Sequence, residues 1–372
     1  MRSLQIDFFR GLALIIIFID HVYNNRLGGY TLRGFGITDA AEIFFFCSGF
    51  VSCLVYTRIF DRAGFSSVQV KATRRAILIY FFHIITFLLL IGISVLLKDI
   101  NGVDSVLKAR GLYEVIYDKS TIGLHIFTLG YQPFLFTILP AYIILSISTP
   151  LLIWLLHRSP WLLFSVSAVI YLMVQLFPGL NLIQWPYGSP WTFNPFAYQF
   201  LFVLGMLFGY LSSTEKLKIP FNYPVLFIAL LLLLATFIFH NFIPFLQKHF
   251  LLFTSYPLHN GLPLTGKINE EPLRIFHFMV LMYVVVFVIN FIRSNRPSLI
   301  GHIKKLVQPI ISCGQNSIYI FSLGILLSYL GGYALAYFGN SAMVWVPVNI
   351  TGIAILLLVG TWLTSRKKEK CR

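Results

Sequence analysis

The chain has 372 residues, of which 58% are hydrophobic and only 11% are charged. Soluble domains carry about 25% charged residues, so this chain cannot cover itself with a water-facing surface, and lipid must be its solvent over much of its length. The net charge of +15 would suit nucleic acid, but the basic residues stand in short clusters between apolar stretches, with no groove-reading motif beside them. Membrane topology explains this distribution better, and we expect no nucleic-acid partner.

Ten stretches are apolar and long enough to cross a bilayer as helices, since about 20 residues span the hydrocarbon core. We therefore predict an all-α, polytopic protein that forms a single membrane-embedded domain over residues 1–372. The ninth stretch is over-long and contains Gly331-Gly332, so we predict that it tilts or breaks there. The predicted spans are 7–23, 40–57, 75–97, 133–156, 160–177, 194–212, 221–243, 272–292, 308–337 and 344–364.

Lysine and arginine orient these spans, because cytoplasmic segments of membrane proteins are enriched in both. With the N-terminus inside, most of them fall in inner segments, including 58–75 and the tail 366–372, while acidic residues lean outward. The first apolar run lacks a small-residue cleavage site, which favours a span over a signal peptide. The sequence predicts a multi-pass protein of a bacterial inner membrane, surrounded by lipid, with both termini in the cytoplasm.

The four cysteines predict neither a disulfide framework nor a metal site. Cys47 and Cys53 lie six residues apart on one apolar segment and so point to different helix faces, and Cys371 is in the tail. No zinc-ligand spacing is present, so we expect no metal.

The first predicted span carries four ionisable residues, Asp7, Arg10, Asp20 and His21. Such residues cost free energy in a bilayer and are functional candidates. Arg10 and His21 are eleven residues apart, which places them on one helix face about 16 Å apart along the axis. We interpret them as a cation and an imidazole facing one passage. Alternatively, Arg10 extends toward the cytoplasm and His21 lies at the outer interface.

The second span begins with Glu42, at the same outer level as His21. A carboxylate beside an imidazole raises its basicity and fixes its tautomer, as a general base requires, and Glu42 or Asp20 is predicted to do so. Gly49, on the face of Glu42, would admit another backbone or a thin ligand. The alternative is that Glu42 caps its helix.

The segment between the second and third spans is strongly basic, with Arg58, Arg74 and Arg75. Arginine clusters of this kind bind phosphate-rich ligands. A topology signal with anionic lipid binding is the alternative. His83 and His240 have no evident ionisable partner and are predicted to be structural.

Arg274 and His277 lie one turn apart at the outer end of the eighth span. An arginine fork suits a carboxylate, so Arg274 is a candidate to hold an acidic acyl group. A bond to Glu270 or Glu271, within helical reach, is the alternative. Asn194 before Pro195 is typical of a helix N-cap. Asn316 lies in a polar run that could line the passage.

Several of these residues belong to motifs that resemble a known family. Asp7-Phe8-Phe9-Arg10-Gly11 with His21, then Phe45-Phe46-Cys47-Ser48-Gly49-Phe50 and Arg74-Arg75, resemble the membrane acyltransferase superfamily of the third type. That resemblance implies about ten spans and O-acylation of envelope sugars from cytoplasmic acyl-coenzyme A. Longer stretches resemble its OpgC branch, which is associated with succinyl modification of osmoregulated periplasmic glucans. These stretches are 131–133, 138–143, 193–199, 272–274, 277–278 and 314–317.

The resemblance implies roles for particular residues. The superfamily's catalytic histidine falls on His21 and its first-span arginine on Arg10, which we also predict to be catalytic. Its second-span motif falls on Ser48-Gly49-Phe50, where we predict that Ser48 and Gly49 bind the donor, and its donor-side arginines fall on Arg74 and Arg75. Acceptor or acyl binding is our own interpretation for another set of residues, namely Asp7, Asn194, Arg274, His277 and Asn316.

The sequence thus predicts an O-acyltransferase whose acyl-coenzyme A, preferably succinyl-coenzyme A, binds with its phosphates on Arg58, Arg74 and Arg75. His21 then removes a proton from a hydroxyl of a periplasmic glucan or other envelope sugar, although an acyl-histidine intermediate stays open. The rival hypothesis is a proton-coupled transporter or flippase for an anionic lipid or sugar, using the same buried histidine and arginine. The absence of an inverted repeat disfavours it.

Overall fold

The computed structural model describes residues 4–117, 123–186, 188–214, 222–249 and 266–369. Within them the regular structure is helical, apart from one isolated β-bridge between Ile183 and Pro190 and a 3-10 turn at Arg26–Tyr30. The predicted all-α fold is confirmed. The helices are α1 (Leu4–His21), α2 (Leu32–Phe35), α3 (Ala40–Leu97), α4 (Val103–Ala109), α5 (Tyr113–Tyr117), α6 (Gly123–Phe127), α7 (Ile138–Arg158), α8 (Pro160–Leu176), α9 (Pro195–Ser213), α10 (Tyr223–His249), α11 (Pro272–Asn295), α12 (Pro297–Leu306), α13 (Gln308–Gln315), α14 (Ser317–Phe338) and α15 (Ala342–Glu369).

Seven helices in the described ranges are long and apolar enough to cross a membrane: α3, α7, α9, α10, α11, α14 and α15. α3 contains two of the ten predicted spans. The remaining two correspond to α1, which carries three charged side chains, and α8, which has 17 residues. The chain is therefore a polytopic membrane protein, as its composition predicts.

The segment between the second and third predicted spans is helical, where a loop was expected. α3 runs through it with one interruption at Gly64, whose φ of 72° favours glycine. Val55 before this glycine and Val70 after it line the same cavity, so the chain turns back on itself at Gly64. The basic residues of this segment consequently sit on a helical hairpin.

The ninth predicted span does break, but at Asn316 rather than at the glycine pair. Asn316 separates α13 from α14 with φ −117° and ψ 34°. Gly331 and Gly332 lie inside α14, where an added Cβ would come within 2.8 Å of Val348 and 2.9 Å of Tyr23. These glycines allow neighbouring side chains to pack closely, and they do not interrupt the helix.

Two glycine contacts bring backbones together around the site. A Cβ on Gly11 of α1 would collide with the carbonyl oxygen of Ile310, and one on Gly314 of α13 would collide with that of Asp7. In the same way, Gly49 of α3 lies against the backbone of Phe202 in α9. Small residues permit such close helix packing. The close approach predicted at Gly49 is thus to a helix backbone.

Candidate active site

The first candidate site is a cavity of about 380 Å³ at the His21 end of α1, which we call the outer cavity. Its polar groups come from the end of α1, the segments just before α3 and α11, and the loops that follow α4 and α6. Among its lining residues are Asp20, His21, Asp39, Arg110, Gln132 and Lys267.

His21 has a defined tautomer. Its Nδ1 lies 2.5 Å from the carbonyl oxygen of Ile17, one turn earlier in α1. Because a carbonyl oxygen only accepts, Nδ1 carries the hydrogen and the neutral ring keeps its lone pair on Nε2. The imidazole also packs against the Phe134 ring, with centroids 5.7 Å apart. The backbone therefore fixes the tautomer that a general base needs.

The two carboxylates predicted to support His21 have other partners. Asp20 accepts hydrogen bonds from Thr31 Oγ1 at 2.5 Å and lies 3.4 Å from Arg33 Nε. It lines the outer cavity, but its carboxylate stabilises the segment after α1 through these two contacts. Within the described residues, no hydrogen bond joins Asp20 to the His21 imidazole. The predicted pairing of these neighbours is therefore corrected.

Glu42 is fully buried and also lacks contact with His21. Its Oε2 accepts from the Asp39 backbone N–H at 2.8 Å in a capping box, and its Oε1 pairs with Arg274. The capping alternative is thus the observed arrangement. A buried carboxylate is stabilised by unpaired helix N–H groups and a neighbouring cation, and both lie closer to Glu42 than the imidazole does.

Arg274 is enclosed by acidic residues. Besides Glu42, it lies 3.5 Å from Glu270 and 3.7 Å from Asp39. Asp39 also binds Lys267. Burial would raise the pKa of Asp39, but Lys267 and Arg274 bring it below its ordinary value. Burial, with Glu42 nearby, raises the pKa of Glu270. These five residues, which we call the outer ion-pair network, hold the start of α3 against the start of α11.

Arg110 is the residue of the outer cavity that sequence reasoning missed. Its side chain follows α4, is 8% exposed and donates from Nη2 to the carbonyl oxygen of His21 at 2.7 Å. Its guanidinium lies over the Phe134 ring at 4.3 Å. Burial lowers its pKa. An arginine in a long outer loop looks like an ordinary solvated cation, so its burial in the cavity was not predictable from sequence.

Asn194 and His277, predicted to bind acceptor or acyl group, lie away from the outer cavity. Asn194 caps α9 as predicted, accepting from Phe196 N at 3.0 Å, and donates to Leu180 O and Asn269 Oδ1, both at 2.8 Å. His277 bonds Thr38 through Nδ1 at 2.8 Å. Both side chains thus serve contacts within the fold.

The second candidate site is a cavity of about 850 Å³ between α1 and the two arms of α3, which we call the inner cavity. Arg10, Lys71, Arg74 and Arg75 line it, together with Ser48, and no acidic residue of the described chain does so. Arg10 is buried and donates to Ser317 Oγ at 2.5 Å, whereas Arg74 and Arg75 are exposed.

Arg58 does not line the inner cavity, although it was predicted to bind donor phosphate with Arg74 and Arg75. It is exposed on the first arm of α3. The prediction assumed a flexible loop, in which Arg58 could reach the ligand. In the observed helix, its position is set by the helical geometry, away from the cavity lining. Lys71, one turn before Arg74 and Arg75, takes its place in the lining.

Asp7 and Asn316 lie in the inner half of the bundle, so they are far from the predicted acceptor. Gln315 Nε2 donates to Asp7 at 3.4 Å. Asn316 donates to Ser312 O at 2.9 Å and accepts from Lys367 Nζ, in the last helix, at 2.6 Å. Both therefore stabilise the junction of α1, α13 and α15.

Within the described residues, the other histidines and cysteines singled out in the sequence do not line either cavity. His83 is buried against Phe136, and His240 is exposed on α10. Cys47, Cys53 and Cys313 are buried and free. Cys371 lies outside the described residues, and within them no group of histidine, cysteine and acidic side chains could hold a metal ion.

The inner and outer cavities have no lining residue in common, so Arg10 and His21 open into separate spaces instead of one passage. Aromatic side chains connect the two. Phe321 lines the outer cavity and stacks on Phe44 with ring centroids 6.0 Å apart. Phe44 in turn lies 5.0 Å from Tyr142. α1 thus presents Arg10 to the inner cavity, and Asp20 and His21 to the outer one.

Comparison with known proteins gives one match. The family model described as OpgC protein matches residues 2–368. Neither a curated protein nor a solved structure matches the chain. The family match covers nearly the whole sequence, including both cavities and every helix that lines them. The chain therefore belongs to the OpgC protein family.

Proposed function

We propose that this protein is a membrane O-acyltransferase. It moves an acyl group, with succinyl as first choice, from cytoplasmic acyl-coenzyme A to a hydroxyl of a periplasmic glucan or another envelope sugar. The observation that carries the proposal is the pair of cavities along α1: the described lining of one holds four cations and no acidic residue, and the other is lined by His21 with a free Nε2 lone pair. Membership of the OpgC family supports the same class of activity.

The inner cavity suits the donor. Coenzyme A carries several phosphates, and arginine forks bind phosphate oxygens in pairs. Lys71, Arg74 and Arg75 are exposed at this cavity, in the segment that the positive-inside rule assigns to the cytoplasm. Its volume of about 850 Å³ is in the range of sites that enclose a large part of a cofactor-sized ligand.

The thioester must then travel to the outer cavity. Arg10 and His21 are about 16 Å apart along the α1 axis, a distance suited to the thin pantetheine arm. Phe44 and Phe321 pack between the cavities. Donor binding therefore requires these two rings to change rotamer and open a narrow channel.

The chemistry proceeds at His21. Its Nε2 takes the proton of a sugar hydroxyl while that oxygen attacks the thioester carbonyl carbon. The tetrahedral intermediate collapses, the carbon–sulfur bond breaks, and the coenzyme A thiolate takes the proton from the imidazolium. The products are a sugar ester and free coenzyme A. The Nδ1–H bond to Ile17 O keeps the ring oriented in both steps.

The direct test uses purified protein in detergent or vesicles with succinyl-coenzyme A and a β-glucan acceptor. We expect release of free coenzyme A together with a succinyl mass increment on the glucan. A transporter would leave the thioester intact, and that result would contradict the proposal. Mass spectrometry of envelope glycans from cells with and without the gene identifies the natural acceptor.

A further inference from the structure

Four cations stand at or beside the outer cavity, and three of them are paired with carboxylates. Arg33 lies 3.4 Å from Asp20, Lys267 binds Asp39, and Arg274 binds Glu42. Arg110 differs, since no carboxylate of the described residues lies within ion-pair distance of it.

An unpaired buried cation is costly, because burial removes water from the charge without replacing it by an anion. Arg110 is 8% exposed, and its compensation is a carbonyl bond to His21 and a stack on Phe134. Each of the three neighbouring cations is paired with a carboxylate of the chain, so Arg110 is the exception among them. The missing anion at Arg110 therefore fits a ligand that arrives in the cavity.

A second polar group of the outer cavity is also unsatisfied. Gln132 is 5% exposed, its Nε2 donates to Leu129 O at 2.9 Å, and its Oε1 has no hydrogen-bond partner. A lone acceptor of this kind suits a hydroxyl donor. The cavity thus lacks one anion and one hydroxyl, which are the functional groups of an acidic acyl donor and a sugar acceptor.

The spacing suits a short dicarboxylic acyl group. The Arg110 guanidinium and the His21 imidazole lie 4.3 Å and 5.7 Å from the Phe134 ring centre, so they are at most 10 Å apart. A four-carbon diacid spans about 4 Å between its end carbons. With a hydrogen bond to Arg110 at one end, and the acceptor hydroxyl between its other end and His21 Nε2, it fits within this limit.

We propose that Arg110 binds the free carboxylate of the transferred acyl group and so selects a dicarboxylic donor. The inference rests on the proposed function and adds the specificity residue. Arg274, the sequence-based candidate for this role, is already neutralised by Glu42, Glu270 and Asp39, and its contact with Glu270 is the alternative that the sequence analysis gave. Arg110 holds the acyl group against His21 through its own bond to the His21 backbone.

The test measures kcat/KM for succinyl- and acetyl-coenzyme A on wild type, Arg110→Gln and Arg110→Lys. We expect Arg110→Gln to lower succinyl transfer by about 10-fold or more, the effect of losing a charge-assisted pair, while acetyl transfer changes far less. Arg110→Lys keeps the charge without the fork and should fall between. Lys108→Gln, an exposed cation two residues earlier, is the matched control and should keep the wild-type ratio.

The outcomes separate the two proposals. Equal loss with both donors would make Arg110 an oxyanion-stabilising or structural residue and overturn the inference, as would an unchanged ratio. If Arg110→Gln does not fold, the donor ratio of Arg110→Lys decides. A wild type that transfers acetyl more readily than succinyl also overturns the role of Arg110 but leaves acyl transfer intact. A wild type that transfers neither group contradicts the proposed function itself.

Discussion

The inner and outer cavities lie along the same helix, but they differ in how far their cations are paired with carboxylates. At the outer cavity, most cations are matched to carboxylates of the chain, as in Lys267 with Asp39 and Arg274 with Glu42. At the inner cavity, Lys71, Arg74 and Arg75 have no acidic residue beside them in the described lining. Matched charges fix a geometry, whereas unmatched ones leave a positive potential for a mobile anion.

The difference indicates how one protein can hold a reactive group still while exchanging a charged cofactor. The members of the outer ion-pair network hold one another in place, and two of them, Asp39 and Lys267, line the cavity of His21. Exposed arginines of the inner cavity can bind a polyanion and release it, because water restores their hydration when it leaves. Four predictions test this contrast.

The largest effect is expected at His21. Under the proposed function, His21→Ala removes the base that activates the acceptor hydroxyl, and transfer should fall at least about 10²-fold. Donor binding at the inner cavity should be unchanged. Transfer rate and acyl-coenzyme A affinity of the purified variant measure both. His240→Ala, an exposed histidine on α10, is the control, and near-wild-type transfer by His21→Ala would exclude the mechanism.

The next effect concerns the outer ion-pair network. Arg274→Gln leaves the buried Glu42 without its cation, and breaking a buried pair on one side costs about 3–5 kcal/mol of unfolding free energy. The double variant Glu42→Gln/Arg274→Gln should lose less than the sum of the single variants. Unfolding in detergent monitors stability, and Arg62→Gln at an exposed position of α3 is the control. A single variant as stable as wild type would mean that the network does not hold the outer cavity together.

Loss of single arginines at the inner cavity should be milder. Arg74→Ala or Arg75→Ala removes a charge-assisted phosphate contact of about 1.5–3 kcal/mol, so KM for acyl-coenzyme A should rise while KM for the glucan stays constant. Arg58→Ala, outside the cavity lining, is the matched control. If all three variants behave alike, the basic hairpin acts only in topology or lipid binding.

The smallest effect is that of salt. Ionic strength screens exposed charges but affects buried pairs much less, since the Debye length at 0.15 M is about 8 Å. We expect KM for acyl-coenzyme A to rise several-fold between low and high salt, while the stability loss of Arg274→Gln stays nearly constant. A salt-independent donor KM would show that phosphate binding at the inner cavity is not carried by exposed cations.

The helices were largely predictable because lipid imposes long apolar runs, and nine of the predicted spans end within several residues of an observed helix boundary. The helical hairpin over 58–75 was not predicted. A charged segment has the composition of a loop, although its periodicity still permits a helix. The ninth span was predicted to break at Gly331-Gly332, but these glycines meet Val348 and Tyr23. For this glycine pair, packing partners distant in sequence explain why the helix continues.

The candidate site was predictable where one helix contains it. The eleven-residue spacing of Arg10 and His21 follows from helical geometry alone. The partners of Glu42 and Arg110 did not follow, since they depend on how α3, α11 and the loop after α4 meet. Single-helix periodicity cannot show which carboxylate meets which cation, and so Glu42 was assigned to the imidazole instead of to Arg274.

The glycine contact between α1 and α13 has a consequence for how the protein is made. Arg10 binds Ser317, 307 residues later, and Gly11 packs on the backbone of Ile310. Ribosomes add roughly 5–20 residues each second, so α1 waits some 15–60 s for these partners. Throughout that time its charged groups lie in the bilayer without them. The helix that carries Arg10 and His21 is therefore synthesised long before the residues that complete its packing, and a chain truncated before α13 would leave it exposed to membrane proteases.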